Sequence, residues 1–569
     1  MGIDTRDATT MTVLVHSEQP PRASDTRWWR NAVIYQIYPR SFHDANGDGV
    51  GDLRGVCAKL PYLRELGIDA LWFTPWYKSP MADGGYDIED YREIDPAFGT
   101  LADAEELIRS AHEQGLRIII DVVPNHCSDR HAWFRQALAG APGSEARERF
   151  WFRAGRGTDG QSPPNDWRSE FGGPAWTRVP NPDGSLGEWY LHLFAAEQPD
   201  FNWNSPKVRE EFEEVLRFWF DRGVDGVRID SATMPFKDPA LPDLADVDRT
   251  GGRHPFVDQD GVHAIYRHWR TVADSYPRPR ALIGEVWLAD PVRFAAYLQP
   301  DEMHTAFNFD YLNCPWDAAR FRTVIDETLE SHRPAAAPAT WVLSNHDVTR
   351  HITRYGRADS SKGRNPQLHG APTDVQRGTR RGRAALLLNL ALPGSCYIYQ
   401  GEELGLTEVS DLPDEARQDP YFFRSKGADI GRDGCRVPIP WEGQEPPFGF
   451  SPGDAQAAPW LPQPSEWRNH TAELLGRRPD SILSLYRDAL RIRRSDPAFR
   501  TDEFEWVSEP ESEVLEFARS TELRCLVNLS AEPVALPGNA ELILSSIPLA
   551  DPHLLPEDTA AWLRLPLAG

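Results

Sequence analysis

The 569-residue sequence is poor in cysteine. Its six cysteines, Cys57, Cys127, Cys314, Cys396, Cys435 and Cys525, form no C-x-x-C pair. Zinc ribbons and dithiol redox motifs are thereby excluded, and single thiols in so long a chain read as small, reduced core residues. No apolar run reaches 18 residues, so no membrane-spanning helix is expected. Residues 1–26 are polar and lack the apolar centre of a secretory signal. They read as a flexible leader, and the expected location is the cytoplasm. Basic residues are also in deficit. With 61 Lys+Arg against 86 Asp+Glu the formal charge is −25, which disfavours nucleic acid and anionic membranes as partners. With 40% hydrophobic and 26% charged residues the chain has enough apolar surface to fold, so disorder is excluded as its main state. Proline (49) and tryptophan (20), by contrast, are plentiful, which points to many loops and much aromatic packing.

Eight short apolar runs recur along the chain. They are 33–37, 70–73, 117–123, 225–229, 281–283, 305–307, 341–343 and 396–398, with amphipathic stretches such as 101–114, 207–222 and 380–392 between them. Short buried strands alternating with crossover helices predict an α/β fold, a (β/α)8 TIM barrel in preference to an open doubly wound sheet. A Gly-, Pro-, Trp- and Asn-rich stretch, 128–199, is too long for a loop and predicts a domain inserted after the third strand. Residues 356–376 read as a polar, flexible loop near the site. From about 500 to 569 short alternating runs predict a C-terminal antiparallel β-sandwich. The expected division is therefore a leader (1–26), a barrel (27–127 and 200–499), an inserted domain (128–199) and a sandwich (500–569).

In such a barrel chemistry gathers at the C-terminal ends of the strands. Four of the runs end in polar groups: Asp121 to His126 after run three, Arg228 and Asp230 on run four, Glu285 after run five, and Asn345, His346 and Asp347 after run seven. One such placement is commonly a strand cap. Four in four strands are not, because buried carboxylates are costly unless paired or used. Arg228 and Asp230, two apart, share a strand face opposite Val227 and Ile229. An Arg there can hold the Asp ionised as a nucleophile. The apolar flank of Glu285 (Ile283, Gly284, Val286, Trp287) predicts a raised pKa and a protonated acid. An ionised carboxylate facing a protonated one is the arrangement for retaining glycoside cleavage. Asp347 is a third carboxylate, suited to sugar hydroxyls and to developing positive charge.

These four segments, in this order, resemble the signature regions of glycoside hydrolase family 13, the α-amylase family, over essentially everything from Trp28 to the C-terminus. The insertion resembles that family's domain B. Gln198-Pro-Asp-Phe-Asn202 is similar to the Q-P-D-L-N segment of the oligo-1,6-glucosidase-like subgroup, which includes α-glucosidases, isomaltases and sucrose-active relatives. The resemblance implies Asp230 as nucleophile, Glu285 as acid/base and Asp347 as transition-state stabiliser. Arg228, His126 and His346 would orient substrate and nucleophile. Asp83 and Tyr86 would grip the terminal glucose, with Arg432 pairing with Asp83 to close the pocket. Val437-Pro-Ile-Pro-Trp441 departs from the subgroup's usual T-P-M-x-W. Ser231, small where the subgroup's α-1,6 enzymes carry Val, tilts the expectation toward α-1,4 bonds. The expected protein is an exo-acting retaining α-glucosidase on short α-glucosides. The alternatives are a glucosyl transferase, a sucrose hydrolase or an oligo-1,6-glucosidase on the same scaffold. A non-catalytic scaffolding relative is disfavoured because all three carboxylates are present. A small oligosaccharide is the expected partner and the chain is expected as a monomer or homodimer.

One further motif stands apart. Asp44, Asn46, Asp48, the Val50 carbonyl and Asp52 place oxygens at every second residue, with Gly49 at the turning position, in the rhythm of an EF-hand loop. The bidentate Glu is missing, Gly55 standing in its place, and an Asx-rich turn without metal is the competing reading. Hard oxygen donors select Ca2+, with Mg2+ possible, as a structural ion. No organic cofactor is expected.

Overall fold

A computed structural model of the chain describes residues 27–181, 184–246, 254–361, 363 and 365–566. The leader of the sequence reading, 1–26, lies outside the described residues. All eight apolar runs are parallel strands: β1 (Val33–Ile37), β2 (Ala70–Phe73), β3 (Arg117–Val122), β4 (Gly226–Ile229), β5 (Ala281–Gly284), β6 (Thr305–Ala306), β7 (Thr340–Val342) and β8 (Ser395–Tyr399). They join in the order β6-β5-β4-β3-β2-β1-β8-β7. The backbone ladder therefore runs round a barrel and breaks at one seam, between β6 and β7. Side chains bridge that seam: the Thr340 hydroxyl donates to the Ala306 carbonyl at 2.6 Å and the Thr305 hydroxyl to the Pro338 carbonyl at 3.3 Å.

Alternation sorts the strand residues between two cores. Ile34, Trp72, Ile119, Ile283, Val342 and Tyr397 fill the barrel, with Trp28 and Trp29 in the same cluster. Their strand neighbours Tyr35, Leu71, Ile120, Leu282, Trp341 and Ile398 pack outward against the helices. The helix expected over 380–392 runs over Val375–Ala391 and starts more than a turn earlier. Asp374 caps it by accepting from the Arg377 N–H at 2.9 Å. The part missing from the expected helix contains one glycine, Gly378. It is glycine because the helix runs against its neighbour: a Cβ on Gly378 would lie 2.1 Å from the Ile352 carbonyl oxygen.

The inserted stretch carries a three-stranded antiparallel sheet, Phe152–Arg153 beside Leu186–Leu191 beside Trp176–Pro180. Trp151, Trp167, Trp176, Leu191 and Leu193 give it a core of its own, completed by Leu241 and Phe256 from the segment after β4. Its two ends lie side by side at the barrel mouth, where His126 and Asp200 form an antiparallel bridge. Beyond the barrel, a five-stranded antiparallel sheet and a two-stranded one make up the C-terminal unit. Trp562 of the larger sheet is fully buried and donates its indole N–H to the Leu387 carbonyl of the Val375–Ala391 helix at 3.1 Å. Among the described residues no helix is long and apolar enough to cross a membrane.

Candidate active site

Arg228 on β4 is the centre of the site. Its side chain points into the barrel, with its guanidinium carbon 5.4 Å from the Trp72 ring centroid and 5.9 Å from that of Tyr86. One terminal nitrogen, Nη1, donates to Asp121 Oδ1 at 2.8 Å and to Asp230 Oδ1 at 2.7 Å. The other, Nη2, pairs with Glu285 Oε2 at 2.7 Å. Three carboxylates from β3 and from the ends of β4 and β5 thus share one cation, and all three are buried. Burial raises the Asp230 carboxyl to about 6, with Arg228 opposing it. Burial likewise raises Glu285 to about 7, Arg228 opposing and the Asp230 charge adding. Asp121 rises to about 7 for the same first reason. The sequence reading has Arg228 hold Asp230 ionised and oriented, and the contact is present. In the structure the guanidinium is divided among three acids, so desolvation prevails. Nor does Trp287 form an apolar wall for Glu285. It is 48% exposed, and its indole donates to Glu285 Oε1 at 2.9 Å.

A second guanidinium network faces the first. Asp347 Oδ1 accepts from Arg432 Nη1 and Arg436 Nη2, each at 3.0 Å, and Asp347 Oδ2 lies 3.2 Å from His346 Nε2. Burial alone would raise the Asp347 carboxyl, but His346 and the two guanidiniums hold it below the usual carboxylate range. Arg432 Nη2 also donates to Asp83 Oδ1 at 2.7 Å, the pair expected to close the pocket, and its Nε donates to buried Asp419 at 2.6 Å. Asp83 Oδ2 accepts from Gln198 Nε2 at 3.2 Å, and Gln198 Nε2 lies 3.1 Å from His126 Nε2. The Tyr86 ring lies parallel to that of His346, with centroids 5.5 Å apart and planes 4° from each other. Its hydroxyl sits 2.7 Å from His346 Nε2 and 3.0 Å from Asp121 Oδ2. Burial depresses both imidazoles, His346 to about 3 and His126 to about 4, so both are neutral.

All nine expected catalytic and substrate residues therefore belong to one connected site. Asp121 and Gln198 lie inside motifs of the sequence reading but have no role in it, and Arg436 follows Arg432 by four residues. Asp419 and Lys237 carried no signal at all. Lys237 is completely buried and joins Asp200 (2.8 Å) to Asn125 (2.5 Å), tying the end of the insertion to the end of β3. Ser231, directly after Asp230, has a left-handed backbone (φ +44). That strained turn aims its N–H at Glu285 Oε2, 2.8 Å away.

The Asp44–Asp52 loop lies after β1, apart from this network. Its oxygens largely serve the backbone. Asp44 Oδ1 accepts from the Gly47 N–H at 2.6 Å and Asp44 Oδ2 from that of Gly49 at 2.9 Å. Asn46 accepts from Asp48, Asp48 from Val50, both at 2.9 Å, and Asp52 caps the helix Leu53–Leu66. Gly49 has φ +87, and a Cβ there would meet the Ala458 carbonyl oxygen. Among the described residues no three His, Cys, Asp or Glu side chains converge as a ready metal cluster. The all-oxygen donor set suits a hard cation, but the three acids of the loop are not gathered around one.

Residues 36–502 match the alpha-amylase catalytic domain, and residues 514–562 match a domain of unknown function, DUF3459. The chain belongs to the α-amylase family. It is a glycoside hydrolase of that family. A probable alpha-glucosidase of Rhizobium meliloti is 38% identical over 89% of this chain and 90% of its own length. An oligo-1,6-glucosidase of Parageobacillus thermoglucosidasius is 32% identical over 87% of this chain and 88% of its own. The crystal structure of XgtA, an alpha-glucosyl transfer enzyme, superimposes with a TM-score of 0.80 at 35% identity, covering 95% of this chain and all of that one.

Proposed function

We propose that the protein is a retaining, exo-acting α-glucosidase that releases glucose from the non-reducing ends of short α-glucosides. The observation that carries this reading is Arg228 holding Asp230 and Glu285 on its two terminal nitrogens. Two carboxyl groups on one guanidinium are close enough to flank a single anomeric carbon, and retaining enzymes need them roughly 5–5.5 Å apart. An Asp230 oxygen attacks the anomeric carbon as the glycosidic C–O bond breaks. Glu285 gives its proton to the leaving oxygen. A glucosyl ester on Asp230 results, and water, losing a proton to Glu285, hydrolyses it. Asp347, kept ionised by Arg432 and Arg436, binds hydroxyls and stabilises the oxocarbenium-like transition state. The Asp83–Arg432 pair closes the pocket behind one glucosyl unit, and Ser231 favours α-1,4 bonds.

Asp230→Asn should lower turnover of an aryl α-glucoside by at least about a thousandfold, and proton NMR of the wild-type reaction should show α-glucose as the first anomer. Near wild-type turnover in the variant, or β-glucose first, defeats the reading. Transfer of glucose to a sugar hydroxyl instead of water is the second reading, favoured by the likeness to a glucosyl transfer enzyme. Transfer products formed on maltose with excess acceptor distinguish it. We also propose a structural Ca2+, or Mg2+, at Asp44, Asn46, Asp48, the Val50 carbonyl and Asp52. It would order this loop and take no part in the reaction. Chelation by EDTA should then lower the melting temperature by several degrees, with Ca2+ restoring it. An unchanged melting temperature means the loop is a metal-free Asx turn.

A further inference from the structure

Glu285 needs two forms during one turnover, a protonated acid and then a carboxylate base, and the structure surrounds its oxygens with donors. Its Oε2 accepts from the Ser231 backbone N–H at 2.8 Å and pairs with Arg228 at 2.7 Å. Its Oε1 accepts from the Trp287 indole at 2.9 Å. Each of these hydrogen bonds is stronger to the carboxylate than to the acid, so this arrangement favours the base form. Weakening any one of the three raises the carboxyl's affinity for the proton it gives to a glycosidic oxygen. Two of the three are fixed. Ser231 donates from the backbone, and Arg228 is 3% exposed and tied to Asp121 and Asp230. Trp287 is different. It follows β5 in a loop and is 48% exposed, and its ring is stacked on Phe309 with centroids 3.5 Å apart and planes 13° from parallel. Its N–H can be removed while the ring keeps its stack.

We propose that Trp287 is a positioning residue that sets the protonation duty of Glu285: its indole N–H on Oε1 holds the carboxyl toward the base form, and without that N–H the proton delivered to the leaving group is held more tightly. This rests on Glu285 being the acid/base. The charged groups around that carboxyl are Arg228, Asp230 and Asp121, and none of them is altered by changing Trp287.

Trp287→Phe tests it, since Phe can keep the stack on Phe309 and removes only the N–H. Losing a donor to the carboxylate should raise the pKa on the basic limb of kcat/KM by roughly half a unit to one unit. With an aryl α-glucoside whose leaving group needs no proton, the step that uses the base becomes limiting. There kcat at pH below the limb should fall about three- to tenfold, the factor of half a unit to one unit, and KM should fall with it, as the glucosyl-enzyme accumulates. Replacing Trp287 by its benzothienyl isostere, which keeps the bicyclic shape without the N–H, should reproduce both effects. An unmoved basic limb in both variants, with a change in KM for the natural disaccharide alone, overturns the proposal and leaves Trp287 as a contact surface. Glu285→Ala separates the two layers. If it keeps wild-type turnover, the acid/base assignment itself has failed; if it is inactive while both Trp287 variants keep the wild-type pH profile, only this inference has.

Discussion

Arg228 shows how little a charged residue means outside its surroundings. The sequence pairs it with Asp230 by strand alternation, and the structure confirms that contact while adding Asp121 and Glu285 to the same guanidinium. The pH dependence follows from this sharing. On the proposed mechanism activity needs Asp230 ionised, above about 6, and Glu285 protonated, below about 7. A bell-shaped kcat/KM profile with a narrow top in that interval is expected, its limbs belonging to the coupled group of acids. Arg228→Met removes the largest influence that lowers both values. Both carboxyls then rise, the acid limb moves to higher pH, and activity at pH 6.5 should fall by about two orders of magnitude, one pKa unit per tenfold. A variant with an unshifted acid limb would show that Arg228 does not govern Asp230. Leaving three buried acids without their cation should also cost about 3–5 kcal/mol of stability, measurable by urea denaturation.

At the scale of an element, the end of β8 carries a cost of its own. Glu402 and Glu403 are buried side by side, Glu403 accepting from the Tyr35 hydroxyl at 2.8 Å and Glu402 from the Tyr399 N–H at 3.0 Å and the Tyr486 hydroxyl at 3.2 Å. Burial raises Glu402 from 4.5 to about 8. The folded chain therefore keeps a proton that the unfolded chain releases. The stabilisation from this group is complete below about pH 4.5 and is lost as pH rises through about 8, at up to about 1.4 kcal/mol per pH unit. Glu402→Gln keeps a neutral side chain in that place. The difference in unfolding free energy between variant and wild type should therefore grow in the variant's favour from pH 5 to pH 8. A constant difference over that range contradicts a protonated Glu402.

For the whole molecule, the barrel was legible because its signal is repeated. Eight buried strands with helices between them leave eight apolar runs, and each run lies on a strand of the barrel. The site was legible where chemistry sits at strand ends, as for Asp230, Glu285 and Asp347. It was not legible where a partner arrives from a distant loop. Asp419 reaches Arg432 through folding alone, and no local pattern marks an acid whose partner is a guanidinium elsewhere in the chain. Lys237 was hidden for the same reason, since its partners Asn125 and Asp200 flank the insertion. The start of the Val375–Ala391 helix was hidden for another: helix packing selected a glycine that propensity reads as a breaker. Around the mouth, six acids (Asp83, Asp121, Asp230, Glu285, Asp347 and Asp419) bond to three guanidiniums, Arg228, Arg432 and Arg436. Acids thus outnumber guanidiniums two to one in that cavity. A hydroxylated amine carrying its proton suits it better than any uncharged sugar, because it brings as a permanent feature the positive charge that a reacting glucosyl ring acquires only in passing.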